Sequence, residues 1–161
     1  MKRSNRVLVL AALAALVAAT TAVAPVAAGS PQAVSITSPM HFNQGEFNTG
    51  TFTAEGAAVD SGLICESGDV VDTRIIFAGG QSNRGAQIPV RKTFSCPGGD
   101  LFIKIQVHLD FESSTETFTW VVLGGTGDYA GVRGSGSGTT ISDGSDPQTG
   151  NINTYTGFLL P

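Results

Sequence analysis

The chain has 161 residues, nine Lys and Arg against 13 Asp and Glu, and a formal net charge of −4. Charged residues make up only 14% and glycine is frequent, with 21 in all. An acidic chain without a basic stripe is a poor ligand for nucleic acid or an anionic membrane surface, so those partners are excluded.

Lys2, Arg3 and Arg6 precede an apolar run over residues 7–17, and Val26-Ala27-Ala28 ends in small residues. This is the layout of a secretory signal peptide, with the cut expected after Ala28. The run is short for a membrane span, which needs about 20 residues, and no second long apolar run follows. The expected organisation is a signal peptide over 1–28, a loose mature N-terminus over 29–39 and one domain over 40–161. The leader carries three of the nine basic residues and no acid, so the mature chain has six against 13 and a net charge of −7. Export is thus the expected localisation, with no membrane span in the mature form.

Cys65 and Cys96 are the two cysteines, both in the exported part. In an oxidising compartment such a pair is expected to form a disulfide. Neither has a His or second Cys near it at ligand spacing, so no metal site is expected.

In chain order, eight short strands are expected: residues 40–47, 51–55, 69–77, 88–96, 100–111, 116–123, 135–142 and 151–160. Phe42, Phe47 and Phe52 are the expected core anchors of the first two. In the third, Val71, Thr73, Ile75 and Phe77 are expected on one face, Asp72 and Arg74 on the other. The clearest strand alternates Leu101, Ile103, Ile105, Val107, Leu109 and Phe111 with Asp100, Phe102, Lys104, Gln106, His108 and Asp110, a period of two that excludes helix. Pro97-Gly98-Gly99 and the glycines near residue 80 mark turns. The fold class is therefore all-β, an antiparallel barrel of about eight strands, with a β-sandwich as the alternative.

The segment Val121-Val122-Leu123-Gly124-Gly125-Thr126-Gly127-Asp128-Tyr129-Ala130-Gly131-Val132-Arg133-Gly134 resembles the strand–turn–strand signature of the allene oxide cyclase and dirigent-protein barrels. In physical terms, Gly124, Gly125 and Gly127 permit a sharp reversal. Tyr129 can plug a barrel end, and Gly131 and Gly134 allow close approach where the next strand starts. The resemblance implies an eight-stranded antiparallel barrel, often trimeric, with an apolar cavity in which a small reactive molecule is steered through cyclisation or coupling. It carries over no catalytic residue to a numbered position here, and the Cys65/Cys96 pair departs from the plant members.

Other chemistry is thinly supported. The glycines from Gly125 to Gly131 are followed by a strand pattern, not by the helix a phosphate loop needs. Asp60-Ser61-Gly62 has no suitably placed His to complete a triad. Asp143, Asp146 and Asn151 lack calcium-loop spacing. His108 and Asp110 are candidate ligand-lining or acid–base groups if the polar row of their strand faces inward, and solvated surface if it faces outward. Trp120 is either core or a stacking wall for a ligand. No cofactor is expected. The function expected is an exported barrel holding a small, mostly apolar ligand; the alternative is a non-catalytic secreted or envelope module acting through its surface.

Overall fold

The structure is a computed structural model that describes residues 29–42, 47–76, 85–142 and 150–161. The leader and its cleavage site lie outside the described residues, as do Phe77, Asp143 and Asp146.

Eight antiparallel strands follow one another around a closed barrel, each paired to its sequence neighbours, with the last paired to the first. They are β1 (Gln32–His41), β2 (Thr49–Glu55), β3 (Ser67–Ile75), β4 (Gly85–Cys96), β5 (Gly99–Asp110), β6 (Thr115–Gly125), β7 (Arg133–Ser142) and β8 (Gly150–Leu160). A single helical turn, α1 (Ala57–Asp60), lies between β2 and β3, and a 3-10 turn, Gly127–Tyr129, between β6 and β7. Closure leaves no unpaired sheet edge. The sandwich alternative is thereby excluded.

Three expectations about the first strands are corrected. Residues 29–39 are not a loose segment, since most of them form β1, which pairs along its length with β8. Val34, Ile36, Ser38 and Met40 alternate inward there, and the small Ser38 is buried among them. Of the three expected anchors only Phe52 is core, at 1% exposure; Phe42 and Phe47 are exposed. In β3 the expected faces hold only in part: Ile75 is inward and Arg74 exposed as expected, but Val70 and Asp72 point inward and Thr73 is exposed. The cause is a β-bulge. Asp72 pairs with Lys92 but Arg74 pairs with Arg91, so Thr73 is one residue extra. The bulge lets Ile75 line the interior three residues after Asp72 instead of two.

The two ends of the barrel differ. At one end the β4–β5 and β6–β7 turns lock together. The Thr126 N–H donates to Asp100 O at 2.8 Å, the Asp100 N–H to Thr126 Oγ1 at 2.9 Å, and the Asp128 N–H to Gly98 O at 3.0 Å. Gly124, Gly127 and Gly131 all have positive φ, at 147°, 56° and 94°. These are the left-handed conformations that favour glycine and let the chain reverse here. Tyr129 and Val132 are buried at this end, where α1, packed on β1, β2 and β8, adds Ala58 and the segment after it adds Leu63 and Ile64. Cys65 and Cys96 join the start of β3 to the end of β4 in a disulfide with Cα atoms 5.9 Å apart. Such bonds persist in an oxidising compartment.

Mid-barrel, small residues make room for large ones. Along β7, Gly134, Gly136 and Gly138 face inward opposite Phe118 and Trp120 of β6. A Cβ on Gly136 would stand 2.7 Å from the Trp120 ring, and one on Gly157 2.5 Å from it. A Cβ on Gly138 would overlap the Phe118 ring. The recurring Gly-Ser-Gly-Ser-Gly of β7 is thus a packing device. Phe52, Phe94, Phe118 and Tyr155 form a connected aromatic layer of edge-to-face pairs with centroids 4.8–5.7 Å apart.

Candidate functional site

Beyond that aromatic layer, toward the end where β1, β3, β5 and β7 finish, the described residues leave the interior unfilled. A cavity of about 420 Å³ opens there. Its walls are mainly aliphatic: Met40, Ile75, Ile88, Val90, Ile105, Val107 and Leu109. These positions follow from strand alternation, since Ile105, Val107 and Leu109 continue the inward row of Leu101 and Ile103.

Into this apolar space project Asn48, Asp72, Lys92, Glu116, Asn151 and Asn153. Asp72 and Lys92 stand directly opposite each other on β3 and β4, and both are buried. The Lys92 ammonium donates to Asp72 Oδ1 at 2.5 Å. The Asn48 amide donates to Asp72 Oδ2 at 2.9 Å, and the Asp72 N–H donates to the Asn48 carbonyl at 2.9 Å. Both carboxylate oxygens are therefore occupied, as a buried charge requires. Asn153 accepts a hydrogen bond from Thr140 Oγ1 at 2.9 Å.

Two buried side-chain atoms among the described residues lack a hydrogen-bond partner, Asn151 Oδ1 and the Tyr155 hydroxyl. Burial above all, and then the negative charge of Asp72, pushes the Tyr155 phenol up from its ordinary value of 10.0. The Asn153 side chain stands beside it and partly offsets this shift. Tyr155 is thus held neutral under the polar cluster.

The residues singled out from sequence fall elsewhere. His108 and Asp110 are exposed on the outer face of β5, because the aliphatic row of that strand faces inward. Their polar row does not face the interior, although Asp110, at the strand end, borders a shallower concavity beside Leu109, Glu116 and Asn151. Asp110 instead shapes the β5–β6 hairpin: its Oδ1 accepts from the Glu112 N–H at 2.9 Å and the Ser113 N–H at 3.3 Å. These bonds hold its carboxyl below the ordinary carboxylate range. Trp120 is core, at 3% exposure, and its indole N–H is shared between Ser137 O and Thr156 O at 3.2 Å each. It does not line the cavity. Ser61 donates to the Ala57 carbonyl at 2.5 Å and closes the α1 turn. Asn151 lines the cavity rather than a calcium loop.

Asp72, Lys92 and Asn153 were not singled out from sequence, although a signal existed. Lys92 keeps the inward phase of Ile88, Val90 and Phe94, and Asp72 keeps that of Val70. A charge in the buried phase of a strand marks an interior polar site.

Among the described residues no group of three or more His, Cys, Asp or Glu is placed to hold a metal ion. Compared with known proteins, the chain matches no family model, and neither the curated proteins nor the solved structures give a significant match.

Proposed function

We propose that this protein is an exported barrel that binds a small, mostly apolar molecule in the cavity beyond the aromatic layer. The observation that carries the reading is the combination of an aliphatic cavity of about 420 Å³ with convergent, buried polar side chains. Ligand sites are typically concave, largely apolar and furnished with a few placed polar groups. A barrel that served only as a surface module would gain stability by filling this space, because unfilled volume costs packing energy. It would also gain little from a buried ion pair.

The leader pattern over residues 1–28 supports export, and the Cys65–Cys96 disulfide suits the compartment this would reach. The resemblance of residues 121–134 to the allene oxide cyclase and dirigent barrels supports the same reading. The steering chemistry that this resemblance implies would fall to Asp72, Lys92 and Asn153, the groups facing the cavity.

Two measurements test the proposal. Native mass spectrometry of protein recovered from culture medium should give a chain beginning at Gly29 with its cysteines joined; a mass that retains Met1 refutes export. The neutral fluorophore N-phenyl-1-naphthylamine should bind with enhanced emission, and Val107→Phe, which fills the cavity wall, should weaken it at least about tenfold. That is a loss of roughly 1.4 kcal/mol. Equal binding by the folded variant places the fluorophore elsewhere and refutes the cavity site.

A further inference from the structure

We infer that the ligand of this cavity is uncharged and carries a hydroxyl group. The inference rests on the binding role proposed above and adds the chemical class.

The charges on the cavity wall are already committed. Asp72 spends one oxygen on Lys92 and the other on Asn48. An anionic ligand beside Lys92 would have to share the ammonium with Asp72, setting two buried anions against one buried cation and leaving a buried charge uncompensated. Glu116, on the same wall, adds negative charge and opposes an anion further. A cationic ligand meets the opposite difficulty. The charge of the buried carboxylate is already balanced by Lys92, and the remaining acid, Glu116, is only half-buried, so a desolvated cation would lack an uncompensated buried partner. What the cavity does offer is an unfilled hydrogen-bonding position on the half-buried Asn151, whose Oδ1 is itself buried and unpartnered. The oxygen and nitrogen of an amide exchange places by a simple flip. A hydroxyl satisfies either orientation, because it both donates and accepts. The aliphatic walls take the rest of the molecule.

The test is displacement of N-phenyl-1-naphthylamine from the full mature protein at pH 7 by four chains of one length: 1-octanol, octanoate, octylammonium and 1-chlorooctane. Octanol is expected to displace the fluorophore at concentrations at least about tenfold lower than octanoate or octylammonium. In Asn151→Leu the preference for octanol over chlorooctane is expected to fall about fivefold or more, with chlorooctane itself little changed. Equal or better competition by octanoate or octylammonium overturns the uncharged class. An unchanged octanol preference in folded Asn151→Leu overturns the role of the amide. Should that variant not fold, the wild-type comparison of octanol with the two ions still decides. Failure of the fluorophore itself to bind overturns the cavity-binding reading, and this inference with it; the other failures leave that reading standing.

Discussion

Lys92→Met isolates the energetics of the buried polar cluster. The substitution keeps the length of the side chain and removes its charge, leaving Asp72 with the Asn48 amide as its one side-chain partner. Both members of the pair are nearly inaccessible, at 4% and 3% side-chain exposure, so losing the ammonium leaves a largely desolvated carboxylate. Removing one partner from a pair this deeply buried costs about 3–5 kcal/mol. Domain stabilities are about 5–15 kcal/mol, so the loss is a large fraction of the whole. With a urea m-value of about 2 kcal/mol/M, the midpoint falls by roughly 2 M. Trp120, the one tryptophan of the chain, reports unfolding from the core by fluorescence. Far-UV circular dichroism should give a coincident transition. The companion variant Asp72→Asn/Lys92→Met removes both charges and keeps the Asn48 contact. It should recover at least about 2 kcal/mol of the loss, because buried pairs replaced together are often neutral or stabilising. A single variant within about 1 kcal/mol of wild type, or a double variant as unstable as the single, refutes the reasoning. A double variant that is stable but has lost ligand selectivity shows that the pair is kept for recognition.

Gly138→Ala drives a methyl group into the Phe118 ring and the neighbouring strand, and should destabilise by about 1–3 kcal/mol in urea unfolding, with partial rescue by Phe118→Leu. No rescue would mean that the backbone contact, not the ring, sets the cost. Replacing Cys65 and Cys96 by Ser opens a covalent loop spanning a separation of 31 residues and should cost about 3–4 kcal/mol, read as a lowered urea midpoint. Tyr155 should contribute stability that is complete below pH about 10, its unfolded value, and is lost as pH rises beyond it, because its folded value is raised. Absorbance at 295 nm should then show its ionisation coinciding with alkaline unfolding, and Tyr155→Phe should shift that unfolding to higher pH. Asp110 has the opposite sign. Its lowered value stabilises the β5–β6 hairpin above the ordinary carboxylate range, and that contribution is lost as pH falls through the folded value, which carbon-detected NMR titration of its carboxyl measures.

The regular parts of this fold are legible in the residues. The inward row from Leu101 to Leu109 alternates without interruption, and the glycines at 124, 127 and 131 announce a reversal that the backbone makes with positive φ. The first strand is hidden because Ser38 and Pro39 interrupt its apolar alternation, although Ser38 is buried and Pro39 sits on the outer face. The third strand misleads for a different reason. A strict period of two across residues 69–77 puts Val71 with Ile75, and only a bulge at Thr73 reconciles an inward Ile75 with an inward Asp72. Bulges have no reliable local signature, so the shift at Thr73 is visible only once the register with β4 is known, whereas Asp72 and Lys92 are each legible as charges in the buried phase of Val70 and of Val90 and Phe94. His108 and Asp110 attract notice as polar residues in an apolar strand, yet alternation alone assigns them outward once its aliphatic row is taken as core.

The interlocked turns, Tyr129 and Val132 make the barrel a cup rather than a pipe. A molecule bound above the aromatic layer, as proposed, would have to leave on the side it entered, because Tyr129 and Val132 close the other end. Departure would then have to precede replacement, and its rate should not depend on how much competitor surrounds the protein.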